Sequence, residues 1–156
     1  MKKYSAGIIL YREKHNRSEL LLGHMGGPFW ANKEDHAWTI PKGEFDPETE
    51  QAENAALREF EEETGTTISQ KLHPVKPFTK NGKTHYFFLA QGDISPETLK
   101  SNLFEIEWPP KSGKRAQYPE LDRFGWFTLE EARGKLVKGQ LPALEMIKEI
   151  LNLSTS

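Results

Sequence analysis

The chain has no cysteine among its 156 residues. That single absence excludes disulfide frameworks, thiolate zinc sites and cysteine nucleophiles together, and it makes the cytosol the default compartment. No apolar run approaches the roughly 20 residues needed to span a bilayer, so no membrane segment is expected. Met1-Lys2-Lys3 followed by Tyr4 to Tyr11 has the outline of a signal peptide, but the run is short, Arg12 ends it and no small-residue cleavage site follows. It reads as a first strand. There is no internal repeat, no low-complexity segment and no GxxxxGK phosphate loop, and Gly26-Gly27 alone is no phosphate signature. His24, His36, His73 and His85 show no paired metal-ligand spacing; they read as structural or exposed, with His24 and His85 best placed to line a pocket.

What the chain has in excess is local negative charge. Between Glu44 and Glu63 stand nine acids against the single base Arg58, a local charge of -8 in a chain whose net charge is -2. The remainder therefore carries +6, so the charge is polarised. This argues against a uniformly basic nucleic-acid binder and for an anionic site whose ligand is a cation.

The length fits one domain with a core of its own, taken as residues 1–153 with 154–156 as a tail. Ser5–Arg12 and Glu19–Met25 suggest two strands joined by the polar loop EKHNRS. Gly26–His36 reads as a long loop able to border a pocket, and Ala37–Gly43 as a short strand stopped by Pro41. From about Glu50 to Thr64 the Ala, Leu, Glu and Gln content predicts a helix, with Gly65 as its stop. Thr84–Ala90, Phe104–Trp108 and Gly125–Thr128 read as strands, the last two separated by a polar loop, PPKSGKRAQYPELDR. Thr128 and Glu131 have capping-box spacing at the start of a short helix. Pro142 opens the last helix, where Leu144, Ile147 and Leu151 recur at helical spacing. Strands interleaved with helices imply an α/β (α+β) fold, a mixed sheet with helices packed on it.

At about 100° per residue, Glu59, Glu62 and Glu63 share one helix face with Ala52, Ala55 and Ala56. Leu57 and Phe60 form a second stripe able to anchor the helix to a sheet, and the alanines allow a neighbouring backbone to come close. Carboxylates so near repel unless a proton or cation lies between them. A set of oxygens with no His or Cys suits Mg²⁺ or Mn²⁺, which would polarise a phosphoryl oxygen and orient a water. The bland alternative is a solvated acidic face, but such faces usually mix signs at i,i+4.

Gly43, Glu50 and the run Arg58-Glu-Phe-Glu-Glu-Glu-Thr-Gly65 resemble the Nudix box: a glycine, a spaced glutamate, then R-E-apolar-x-E-E-x-G and an apolar residue. Two positions depart from the pattern. The gap from Gly43 to Glu50 is one residue longer than usual, leaving Glu48 or Glu50 for the loop glutamate's role, and Thr66 stands where an aliphatic is usual.

The resemblance implies a Nudix-type α/β/α sandwich with a mixed central sheet. It also implies a pyrophosphohydrolase that cleaves a nucleoside diphosphate linked to another moiety, using divalent ions. Glu59, Glu62 and Glu63 would be metal ligands, with the Lys42 carbonyl as a further one, while Gly43, Glu50, Arg58 and Gly65 would be structural. Many members place another acid about six residues ahead of a late-strand tryptophan. Here that acid is Glu120 ahead of Trp126, a candidate for an extra ligand or for the general base, a role for which Glu59 and Glu62 compete. Glu105 and Glu107 are weaker candidates.

Lysine before the box glycine resembles the dinucleoside-polyphosphate branch, with diadenosine tetraphosphate as the leading substrate. Nucleoside triphosphates, a nucleotide sugar and a non-catalytic nucleotide-sensing role are the alternatives. Lys33, Lys42 and Lys114, with Lys111 and Arg115, are candidate phosphate contacts. Phe29 and Trp30 are candidate base platforms, whereas Trp38, Trp108 and Trp126 read as core. The expected partner is a small-molecule nucleotide, with neither nucleic acid nor membrane, acting on a monomer or homodimer.

Overall fold

The computed structural model describes residues 2–155, the side chains of 153–155 excepted. Ten strands and three α-helices follow in chain order: β1 (Lys3–Lys14), β2 (Arg17–Met25), β3 (Trp38–Thr39), β4 (Lys42–Glu44), α1 (Ala52–Thr64), β5 (His73–Pro74), β6 (Phe78–Lys80), β7 (Lys83–Gln91), β8 (Leu103–Glu107), β9 (Arg115–Pro119), β10 (Leu121–Thr128), α2 (Leu129–Lys135) and α3 (Leu141–Thr155). The main sheet runs β10-β2-β1-β7-β5, with β3 on β2, β4 on β1 and β6 on β7, while β8 and β9 form a separate ribbon. It is mixed: β1 and β7 are parallel, and the other pairs are antiparallel.

The central strands are apolar on both faces because both faces are covered. Ile9, Leu20, Leu22, Phe87 and Leu89 face one side, where Leu136, Leu144, Ile147 and Leu151 of the C-terminal helical region pack. Their neighbours in sequence, Ile8, Leu10, Leu21, Phe88 and Ala90, face the other, against Ala55, Ala56 and Phe60 of α1. The period-2 alternation thus yields the expected three-layer α/β/α arrangement.

Several local expectations are corrected. The EKHNRS loop shrinks to His15 and Asn16, both left-handed (φ 52° and 64°), a two-residue hairpin turn whose twist suits the flanking strands. Ala37–Gly43 is two strands instead of one. Pro41, which has no N–H for a ladder, separates β3 on β2 from β4 on β1. The supposed polar loop after Trp108 contains β9, paired along its length with β8; its alternation, half-buried Ala116 and Tyr118 against exposed Arg115 and Gln117, is too short to stand out in a polar stretch. β5 and β6 were not anticipated. The helix starts at Ala52, leaving Glu50 outside it, and the Thr128 capping box is formed in both directions. α3 continues to Thr155 through part of the stretch expected as a tail, and Ser156 lies outside the described residues. Among the described residues no helix is long and apolar enough to cross a membrane.

Candidate active site

β2 pairs with β1 only from Tyr11 to Lys14; nearer its start β1 pairs with β4 instead. That exchange lays Lys42–Glu44 under α1. The approach is so close that a Cβ at Gly43 would land on the Glu59 carboxyl, so a larger residue there would displace that side chain. At the other end of α1, Gly65 adopts φ 76° and donates its N–H to the Glu61 carbonyl at 2.8 Å, closing the helix.

Arg58 organises the acids. Its Nε and Nη2 donate to the two oxygens of Glu50 at 2.8 and 2.9 Å, and its Nη1 donates to Glu59 at 2.8 Å and Glu62 at 3.2 Å. The loop glutamate is therefore Glu50, not Glu48. The extra residue is absorbed by a turn in which Asp46 accepts from the N–H groups of Glu48, Thr49 and Glu50. Hydrogen bonding to Arg58 lowers the pKa of Glu50.

Glu59, Glu62, Glu63, Lys42 and Glu120 line one cleft of about 540 Å³, to which Glu44, Lys83 and Asn102 also contribute. Burial raises the pKa of Glu59 and Glu120, and it pushes Glu63 up to about 8 although Glu63 accepts the Lys42 main-chain N–H at 2.9 Å. Burial likewise lowers the Lys42 ammonium, with Lys83 adding repulsion. Glu120 reaches the cleft because residues 101–102 stitch β10 to the end of α1. The Asn102 N–H donates to the Glu62 carbonyl and the Glu120 N–H to the Asn102 carbonyl, each at 2.8 Å, while the Leu121 N–H donates to Ser101 Oγ at 3.1 Å.

Among the described residues no three acids converge as a ready-made ligand set; Arg58 and the Lys42 amide hold three of them. The donor chemistry nevertheless fits a hard divalent cation. Half-buried carboxyls with raised pKa values share a cleft without a His or Cys, and a cation is what would let them ionise together.

Other expected residues fall elsewhere. Lys33 lies outside the cleft, its Nζ 3.5 Å from the Phe29 ring centroid. Lys114, with Lys111 and Arg115, belongs to the exposed β8–β9 hairpin, where Arg115 pairs with Glu105. Phe29 is exposed and Trp30 packs against the core. His24 is fully buried, bonded to Asp122 and the Lys33 carbonyl, and does not line the acid cleft. Sequence reasoning missed Thr39, Lys83, Asn102 and Gln140 in the cleft wall. Gln140 is placed only by tertiary packing, donating to Thr39 Oγ1 at 2.7 Å and accepting the Ile40 N–H at 2.9 Å; no local signal announces it.

A carboxylate-rich helix face lies over a glycine strand inside a helix-sheet-helix sandwich, as the Nudix resemblance implies. The comparisons agree. The NUDIX domain family model matches residues 1–149. The fold resembles the NUDIX domain of Shewanella oneidensis NrtR, complexed with ADP ribose, at TM-score 0.66 and 15% identity over 97% of this chain and 89% of that one. It also resembles a C. elegans Ap4A hydrolase binary complex, at TM-score 0.62 and 24% identity over 99% of both chains. A NUDIX hydrolase from Listeria monocytogenes gives TM-score 0.63 and 15% identity over 97% and 95%. No curated protein matches the sequence. The chain belongs to the Nudix family.

Proposed function

We propose that the protein hydrolyses a dinucleoside polyphosphate, diadenosine tetraphosphate being the leading example, with Mg²⁺ or Mn²⁺ as cofactor. The observation that carries this reading is the meeting of Glu59, Glu62, Glu63 and Glu120 with Lys42 and Lys83 in one cleft. Supporting the substrate class are the lysine ahead of Gly43 and the fold shared with C. elegans Ap4A hydrolase.

Glu59, Glu62 and Glu63, with the Lys42 carbonyl, are the groups that would hold the cation. Bound there, a divalent ion neutralises phosphoryl oxygens and makes a water more acidic. Arg58 must give up Glu59 and Glu62 for those oxygens to turn into the cleft, while its two bonds to Glu50 keep it in place. Glu120 has no side-chain hydrogen bond among the described residues and burial makes it more basic than an ordinary carboxylate, so it is the acid free to take a proton. Water attacks one phosphorus in line and the anhydride P–O bond breaks. The water's proton passes to Glu120, and the departing phosphate stays near Lys42 and Lys83. Positioning and charge neutralisation dominate, as in phosphoryl transfer generally.

The test is hydrolysis of a panel in Mg²⁺: diadenosine tetraphosphate, the nucleoside triphosphates, ADP-ribose and a nucleotide sugar, with Glu62→Gln alongside. Fastest cleavage of the tetraphosphate, to ATP plus AMP, is expected. Faster turnover of a triphosphate or sugar nucleotide overturns the substrate, and binding of nucleotides without any turnover replaces the enzyme by a sensor.

A further inference from the structure

Beside the acid cleft lies a second cavity, of about 440 Å³, lined by Lys3, Lys80, Lys83 and His85 with the Asn81-Gly82 turn. Lys83 belongs to the walls of both. The three lysines come from three neighbouring strands in direct register. Lys3 of β1 faces Lys83 of β7 in the parallel ladder, and Lys80 of β6 faces Lys83 across the hairpin. Residues paired in this way emerge on the same face of the sheet, one strand spacing or about 5 Å apart. Like charges directly opposite each other destabilise a ladder, so two registered Lys–Lys pairs are not explained by folding.

Lys83 bonds Glu44 at 2.9 Å, and Lys3 acts on the same carboxylate only at longer range; among the described residues neither Lys3 nor Lys80 forms an ion pair. The base of the cavity is correspondingly neutral. His85 Nδ1 shares a hydrogen bond with Ser5 Oγ at 2.9 Å, and its ring packs against both Phe78 and Phe87. Its pKa falls to about 4, through burial first and then through Lys42 and Lys83, so the ring adds no charge and reports a positive surrounding.

We infer that the Lys3, Lys80 and Lys83 cavity is the seat of a polyphosphate chain extending beyond the two phosphates engaged at the acid face. This rests on the proposed function and sharpens it. A substrate with only two phosphates leaves Lys3 and Lys80 without an anion, whereas a longer chain continues past Lys83 into their reach. Lysines suit the task because their mobile, pointlike charges follow a flexible polyanion without demanding one fixed geometry.

The test uses inorganic tripolyphosphate as probe, titrated calorimetrically without divalent cation into the wild type and into the Lys3→Gln/Lys80→Gln double variant. We expect the double variant to bind about tenfold or more weakly, and the wild-type affinity to fall with added salt. A Lys3→Arg/Lys80→Arg variant should bind as the wild type does. In kinetics the glutamine pair should raise KM for diadenosine tetraphosphate about tenfold with kcat within about twofold, and leave KM for ADP-ribose unchanged. Equal tripolyphosphate affinity in wild type and double variant, or an equal rise in both KM values, overturns the inference. If no substrate on the panel is hydrolysed, the proposed function fails while the titration still decides the cavity. Should the double variant lose its melting transition, Lys80→Gln alone, at an exposed strand end, answers the same question.

Discussion

α1 and α3 cover opposite faces of one sheet, and they are built on opposite terms. α3 meets the sheet through Leu144, Ile147 and Leu151, all buried and apolar. α1 meets it through Ala55, Ala56 and Phe60, and its flank toward β4 buries Glu59 and half-buries Glu63. One helix is fixed by apolar burial; the other is held close enough for its carboxyls to crowd. The difference separates a helix that serves stability from one that gives up stability to hold charge.

The comparison can be broken most sharply at Glu62. On the proposed function, Glu62→Gln removes a charge that the reaction needs and that within the fold makes only one exposed bond, to Arg58, so kcat should fall by about a hundredfold or more, the scale of losing one transition-state electrostatic contact. The melting temperature without divalent cation should barely move. A variant that keeps near-wild-type turnover would sink the role given to the acidic face.

Leu144→Ala on α3 should do the reverse. It should cost about 2–5 kcal/mol of unfolding free energy by cavity formation, measured by denaturant melts, with kinetic constants per folded molecule unchanged. A loss below about 1 kcal/mol would mean that α3 is not anchored as the packing implies.

A smaller effect is expected from pH. Glu63 has a folded-state pKa of about 8, above its ordinary value of 4.5, so the native protein binds the proton more readily than the unfolded chain. Its contribution is fully present below about pH 4.5 and is lost as pH rises through about 8. In chelator, stability from this group therefore declines from pH 5 to pH 9, and Glu63→Gln should flatten that decline. Saturating Mg²⁺ should flatten it as well, because the cation replaces the proton. Melting temperatures across that range, with and without Mg²⁺, would show it; a rise with pH in chelator would refute the burial argument.

The smallest expected effect separates the loop glutamates. Glu50→Gln breaks a two-oxygen pair with Arg58 that is partly exposed, and should cost about 1 kcal/mol. Glu48→Gln should be neutral. Equal effects in denaturant melts would return the loop role to ambiguity.

How much of this was readable beforehand varies with the kind of signal. The acidic face of α1, its Gly65 stop and the buried stripe of α3 follow from helical spacing alone. The β6–β7 hairpin was not anticipated although Asn81-Gly82 is a strong two-residue turn signal, with φ 54° and 77°, because β6 is only three residues long. β8 was read as a strand, whereas β9 was taken for loop because its alternation, Ala116 and Tyr118 between exposed polar residues, spans only five residues of a polar stretch. Lys33 and Lys114 looked like phosphate contacts because they sit in long loops, and loop membership says nothing about which way a loop folds.

The sequence by itself determined the local relations of the candidate site: glycine before a helix, three carboxylates on one helical face, and an arginine and a loop glutamate able to bond. These are relations within about 25 residues, set by helical period and turn geometry. Only the tertiary structure decided that Glu50 is the partner of Arg58, that Glu120 and Lys83 share the cleft with residues far from them in sequence, and that Lys3, Lys80 and Lys83 stand in register. Those relations depend on strand pairing and on the exchange of β2 for β4 along β1, and long-range pairing leaves no periodic trace in the chain that makes it.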